Sequence, residues 1–227
     1  MLKLADVTLA AVFTVEHALT LRAVHDCLRH AKFGAVRLFT DREIGREHVR
    51  AGPFADLAEA GRFTTYEVPK HIETSHALFI HWDSWIVDPG MWRPEFLTYD
   101  YIGAPWWFSD GNNVGNSGFC LRSKRLLEFL AANEKAFPIG TPEDLTLCRT
   151  YRKRLPQFRW APQTLAHEFA FERTRGTEPS FGFHGMFNWP HVLSDAEIEE
   201  RMKLATPYVT ESGHYREMRT LMARRAA

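Results

Sequence analysis

Residues 78–122, LFIHWDSWIVDPGMWRPEFLTYDYIGAPWWFSDGNNVGNSGFCLR, decide how the rest of the chain is read. They hold an apolar run, an aspartate just past its end, five tryptophans and a loop rich in glycine and asparagine. Leu78, Phe79 and Ile80 suit a buried strand, and the run then breaks into His81, Asp83 and Ser84 among Trp82 and Trp85. Polar groups at the carboxyl end of a buried strand mark the usual ligand crevice of an open α/β sheet.

The bulk properties set limits around that stretch. A chain of 227 residues can bury one good core, which implies a single domain or one domain with a small subdomain. Lysine plus arginine (28) balances aspartate plus glutamate (28), so the net charge gives no general attraction to nucleic acid or anionic lipid. Any phosphate site must be local. Cys27, Cys120 and Cys148 show no CxxC spacing and read as reduced, packed thiols of a cytoplasmic protein. No run of about 18 apolar residues suits a membrane span, and the start, MLKLADVTLAAVFTVEHALT, is unconvincing as a signal peptide.

Working outward, residues 7–13 (VTLAAVF) read as a buried strand and residues 16–32 as an amphipathic helix that Gly34 ends. Residues 35–40 (AVRLFT) form a second buried strand closing on Asp41, giving a parallel, right-handed βαβ unit. A short helix is expected around residues 54–60, a third strand at 64–68 (TTYEV), and a helix or turn at 71–77. Beyond Arg122, residues 123–133 form a helix capped by Ser123. Thr141, Pro142, Glu143 and Asp144 read as a further helix start, with a capping hydroxyl, a proline at the first position and acids in the first turn, running to about Arg154. Residues 194–205 are another capped helix.

Several motifs, in this order, resemble the DUF5672 family: YDYIGAPW at 99–106, VGNSGFCLRS at 114–123, PEDLTLC at 142–148, RWAP followed by AHEFAFE, and FGFHG at 181–185. The family is regarded as glycosyltransferase-like with a GT-A type nucleotide-sugar-binding fold, and the resemblance spans roughly residues 5 to 190. Two departures stand in the loop, where the family's usual VGNGGFSLRS has Ser117 for a glycine and Cys120 for a serine. The expected fold is therefore α/β, a GT-A-like (Rossmann-like) mixed, mostly parallel sheet flanked by helices. Residues 1–190 would form the nucleotide-sugar-binding catalytic domain and residues 191–227 a helical appendage packed on it.

The resemblance also assigns roles. A nucleotide-sugar presents a diphosphate whose charge grows as the anomeric bond breaks, and a divalent cation, Mn2+ or Mg2+, or cationic side chains must offset it. GT-A enzymes usually hold that metal with a strand-end DxD; here HWDSW supplies only Asp83, for which capping a turn is the bland alternative. His184 is the implied second ligand, and otherwise a turn residue. His81 reads as a packed histidine beside two tryptophans. Asp144 is the candidate base that takes the acceptor proton in an inverting transfer, with Glu143 a structural or acceptor-binding partner, although acids after Thr141 and Pro142 are also ordinary helix design. A helix start would lower the pKa of such a base.

Donor contacts are expected from Asn116, Ser117 and Gly118 in a flexible wall, from Asp41 at the second strand's end, where an aspartate opening a turn is an equal alternative, and from Arg122, which either faces the diphosphate or simply starts a helix. Trp106 and Trp107 could form an acceptor platform, although most of the indoles read as core. The expected function is transfer of a sugar from a UDP- or GDP-sugar to a carbohydrate or other hydroxyl acceptor, without nucleic acid. The alternative is a catalytically silent carbohydrate- or nucleotide-binding module.

Overall fold

A strand with apolar side chains on both faces can be covered only by placing helices on both sides of its sheet, and β1, Leu2–Val12, is such a strand from Val7 to Ala11. In the computed structural model, which describes residues 1–176 and 179–226, β1 lies at the centre of a six-stranded sheet. Helix α1 (His17–His30) returns the chain to β2 (Ala31–Thr40), parallel to β1, as the alternating sequence requires. The short β3 (His48–Arg50) extends that edge. On the other side β1 pairs with β4 (His76–Ile80), also parallel.

Two antiparallel strands complete the sheet, β5 (Tyr101–Gly103) and β6 (Phe119–Ser123), in the order β3-β2-β1-β4-β6-β5. The fold is thus α/β with a mixed, mostly parallel sheet. One face packs against α1 and the carboxyl-terminal helices; the other carries α2 (Leu57–Tyr66) and α3 (Lys124–Ala132). Cys27, Cys120 and Cys148 are buried and unpaired. No helix among the described residues is long and apolar enough to cross a membrane.

Three local expectations fail for identifiable reasons. Gly34 does not end α1, which stops at His30; it lies inside β2, where a β-carbon would come within 2.0 Å of the Ala5 carbonyl oxygen. The TTYEV run is not a strand. It forms the last turn of α2, opened by the Asp56 carboxylate accepting from Glu59 N–H at 2.8 Å, and Thr64 and Thr65 donate back to the Ala60 and Gly61 carbonyls. The buried Tyr66 hydroxyl fixes this turn by donating to Phe137 O at 2.7 Å and accepting from Ile139 N–H at 2.8 Å, so tertiary anchoring overrides β-propensity.

Thr141, likewise, caps nothing. Pro142 takes the capping position in extended conformation with no side-chain bond, and the acids begin the short α4 (Glu143–Leu145). The chain then widens into a π-helical segment, Thr146–Tyr151, and closes in a 3-10 turn, Arg152–Arg154. Next come α5 (Gln163–Phe169) and a two-stranded parallel pair, β7 (Ala170–Phe171) with β8 (Gly182–Phe183). The tail runs through α6 (Trp189–Val192), α7 (Asp195–Met202) with a full Ser194/Glu197 capping box, α8 (Pro207–Thr210) and α9 (Gly213–Ala226).

Candidate active site

β4 ends at Ile80 opposite Phe119, so the residues just beyond, His81 and Gly118, must turn together at the carboxyl edge of the sheet. His81 N–H donates to the Gly118 carbonyl at 2.9 Å, and the Ser84 hydroxyl donates to the same oxygen at 2.5 Å. The turn so locked carries Asp83 inward. It is buried, and its Oδ2 accepts from Met186 N–H at 3.1 Å.

His184 reaches the same point from the end of β8. Its Nε2 lies 3.4 Å from Asp83 Oδ1, and its Nδ1 lies 3.0 Å from Glu172 Oε1, at the end of β7. The His81 ring stands edge-on, with centroids 5.4 Å apart. One ligand atom from each of His81, Asp83 and His184 falls within 4.8 Å of the others. The sequence reading of His81 as a merely packed histidine is therefore corrected, because the turn held by Ser84 swings its ring toward His184.

Charge is finely balanced here. Burial alone would lower the His184 pKa, but the Asp83 and Glu172 carboxylates outweigh it and raise it to about 10. Burial would raise Asp83 and Glu172, and contact with the His184 cation holds both below the usual carboxylate range. His81, although exposed as a residue, has its ring crowded by these groups; lost hydration and then the His184 cation push it down to about 4.

A divalent ion fits this arrangement on one observation above all: Asp83 Oδ1 is buried without any hydrogen-bond partner. Two imidazole nitrogens and a carboxylate oxygen are a donor set that suits transition metals of the manganese-to-zinc series. Ligands about 2.1 Å from one ion lie roughly 3–4 Å from each other, so only a small contraction is required.

Asp144 stands at the start of α4, half-buried, with Oδ1 accepting from Leu145 N–H at 2.8 Å. Burial and the neighbouring Glu143 anion raise its pKa to about 6, which reverses the lowering expected of a helix start. The Arg122 and His184 cations both act on it in the opposite direction, so Asp144 is within electrostatic reach of the His184 cluster. Asp83 and His184 are in direct contact, whereas Asp144 is linked to them by charge alone.

A family model described as "Protein of unknown function (DUF5672)" matches residues 51–184, more than half of the chain and the whole span from β4 to His184. The chain belongs to the DUF5672 family. No curated protein sequence matches it. Among solved structures, it is similar to a glycosyltransferase involved in the glycosylation of the major capsid of PBCV-1: 13% identity, 90% of this chain and 100% of that one covered, TM-score 0.52. At that identity the likeness shows the fold, a GT-A type, and the fold alone. Weaker matches include the mannosyltransferase PcManGT from Pyrobaculum calidifontis in complex with GDP-Man and Mn2+, at 11% identity, 69% and 54% coverage and TM-score 0.46. The galactosyltransferase LgtC, with donor and acceptor sugar analogs, matches at 11% identity, 90% and 99% coverage and TM-score 0.45.

The remaining sequence candidates of this DUF5672 chain take different places. Arg122 is fully buried, stacked on the Phe79 and Tyr101 rings at 4.8 and 5.1 Å and ion-paired to Glu143, so it has no surface to offer a diphosphate. Glu143 is correspondingly committed to Arg122 and anchors α4. Asn116 is buried too: its Oδ1 accepts from the N–H groups of Gly118 and Phe119 at 2.9 and 3.1 Å, and its Nδ2 lies 3.0 Å from His184 Nδ1. Gly118 faces His184 directly, and Ser117 between them is partly exposed.

Asp41 pairs with His17 at 2.7 Å at the carboxyl ends of β2 and β1, on the same edge of the sheet as Asp83 but beyond β1. Trp106 is buried behind Gly115, whereas Trp107 is 65% exposed beside Phe108 and is the one of the two with a face to offer a ligand. The hollows at other parts of the surface are separate from this cluster; one of about 550 Å3 lies by Tyr99, Lys124, Arg125 and Arg159, at the amino end of β4. The sequence reading passed over Glu172, whose only signal was its place at the end of the AHEFAFE motif.

Proposed function

We propose that this chain is a glycosyltransferase that moves a sugar from a nucleotide-sugar donor, UDP- or GDP-linked, to a hydroxyl acceptor, with inversion and with a divalent ion. The observation that carries the reading is the closeness of Asp83, His184 and His81 at the carboxyl edge of a GT-A type sheet, with Asp144, whose pKa is raised to about 6, within reach of the His184 charge. Asp83, His184 and His81 would hold the ion, and its charge would offset that of the departing diphosphate.

Asp144 takes the proton from the acceptor hydroxyl. A base with a pKa near 6 is ionised at neutral pH yet still basic enough to accept, which a carboxylate of ordinary pKa does less well. Arg122 and Glu143 hold the start of α4 from beneath, and Tyr101, whose hydroxyl donates to Asn116 O at 2.6 Å, ties the loop to the same base plate. Trp107 is the candidate wall for an acceptor sugar, with Ser117 on the donor side and Asp41 at the nucleotide end.

A second reading is favoured by one specific observation: the stretch after β4 supplies a single carboxylate, Asp83, and that carboxylate is engaged with His184. A silent binding module would look the same. Nucleotide release from a set of UDP- and GDP-sugars, with and without Mn2+, separates the two in wild type, Asp83→Asn and Asp144→Asn. Turnover lost in both variants supports the transferase. Donor binding without turnover, unaffected by Asp144→Asn, supports the module.

A further inference from the structure

We infer that Glu172 is a positioning residue for the metal site, acting through His184 and never on substrate directly; the inference rests on the metal reading given above. A histidine can present Nε2 to an ion only if the ring is held at the right angle and its proton is kept on Nδ1. Glu172 Oε1 and Asn116 Nδ2 both lie 3.0 Å from His184 Nδ1. A carboxylate can only accept, so the bond to Glu172 requires the proton on Nδ1 and leaves Nε2, 3.4 Å from Asp83 Oδ1, as the nitrogen for an ion.

The backbone around Glu172 is built to keep that bond. β7 and β8 pair in parallel through Phe171 and Phe183, and His184 N–H donates to Phe171 O at 2.9 Å. Asn188 then closes the arrangement, because its Nδ2 donates to both Glu172 O at 2.9 Å and His184 O at 2.8 Å. The opposite face of the ring rests on Gly118, where any β-carbon would come within 2.1 Å of it. The ring is therefore held by a glycine, the Asn116 amide and a carboxylate; the amide N–H would favour a bare Nδ1, and the Glu172 carboxylate is the group that draws the proton there. Glu172 stands outside the group of His81, Asp83 and His184, whose ligand atoms lie within 4.8 Å of one another.

Direct metal uptake tests this without any assay of turnover. Mn2+ binding to the full chain, followed by loss of the free-ion electron paramagnetic resonance signal, would be compared in wild type, Glu172→Gln and Glu172→Ala, with thermal melting in the absence of metal as the folding control. Loss of an outer carboxylate partner weakens metal sites by about 10- to 100-fold. The expected result is a dissociation constant raised about tenfold or more in Glu172→Ala and by less in Glu172→Gln, which keeps an acceptor oxygen. Glu172→Gln decides the matter if Glu172→Ala fails to fold. Wild-type affinity in both folded variants overturns the role of Glu172 and leaves the metal reading standing. A wild-type chain that takes up no Mn2+ removes the metal reading and this role together.

Discussion

The imidazole of His184 lies flat against the backbone of Gly118, so closely that a β-carbon at position 118 would stand 2.1 Å from Nε2. That contact is possible only for glycine, and it joins the loop before β6 to the end of β8. Gly118→Ala must displace the ring or the loop; overpacking of this kind costs about 1–3 kcal/mol. The expected outcome is a lowered melting temperature together with weaker Mn2+ uptake. A variant with both unchanged would contradict the packing described.

The Arg122–Glu143 pair makes a second prediction. Both groups are buried, and removing one leaves the other charged and without its partner, which costs about 3–5 kcal/mol. Glu143→Leu and Arg122→Met should each lower the urea midpoint strongly, while the double replacement Arg122→Met with Glu143→Leu should recover much of the loss. Strict additivity in that cycle would show that the pair is not coupled.

Asp144 is expected to trade stability for reactivity. Its folded pKa, about 6, lies above the unfolded value of 3.8, so the native state binds the extra proton and its contribution is fully present below the unfolded pKa. That contribution is lost as pH rises through about 6, and at pH 7.5 the ionised carboxylate costs on the order of 2 kcal/mol. Asp144→Asn should therefore melt higher than wild type at pH 7.5 and nearly level with it at pH 4.5. Transfer should fall at least a hundredfold, in keeping with loss of a general base. In the wild type, kcat/KM should rise with pH through about 6.

Metal uptake should rise with pH over a higher range than at a site made of carboxylates alone. His184, with its pKa raised to about 10, carries a proton on Nε2 at neutral pH that must leave before that nitrogen can bind an ion, whereas His81, pushed down to about 4, is already neutral. Affinity for Mn2+ should increase about tenfold per pH unit between 6 and 8, with release of about one proton. Calorimetry in buffers of different ionisation enthalpy measures that proton. Imidazole-rich coordination also predicts a larger thermal shift with Mn2+ or Zn2+ than with Mg2+ at equal concentration.

The sequence disclosed its fold where one pattern had one meaning. The apolar β1, the amphipathic α1 and β2 could only be a parallel βαβ unit, and the Ser123 and Ser194 caps fell where they were expected. It misled where long-range contacts decide: Gly34 serves the close approach of β1 and β2, and the threonines of α2 are held helical by a tyrosine bonded to residues 137 and 139. The site was legible in part. Asp83, Asp144 and His184 stand out by their motifs, but His81 and Glu172 matter because of ring orientation across four chain segments, which periodicity does not encode. Arg122 was misplaced for a related reason, since a charged residue reads as exposed until its buried partner is known.

One link at the far end of the chain gives the molecule an unexpected sensitivity. The Arg201 guanidinium of α7 lies 3.9 Å over the Trp85 ring while ion-paired to the buried Asp26 of α1, and Trp85 is two residues beyond Asp83. The Glu16 carboxylate, at the residue that opens α1, is likewise bound by the backbone N–H and hydroxyl of Thr206. A protease that nicked the exposed Lys203 would cut the chain between these two anchors, Arg201 and Thr206, and so loosen the packing behind Trp85 and the turn that carries Asp83.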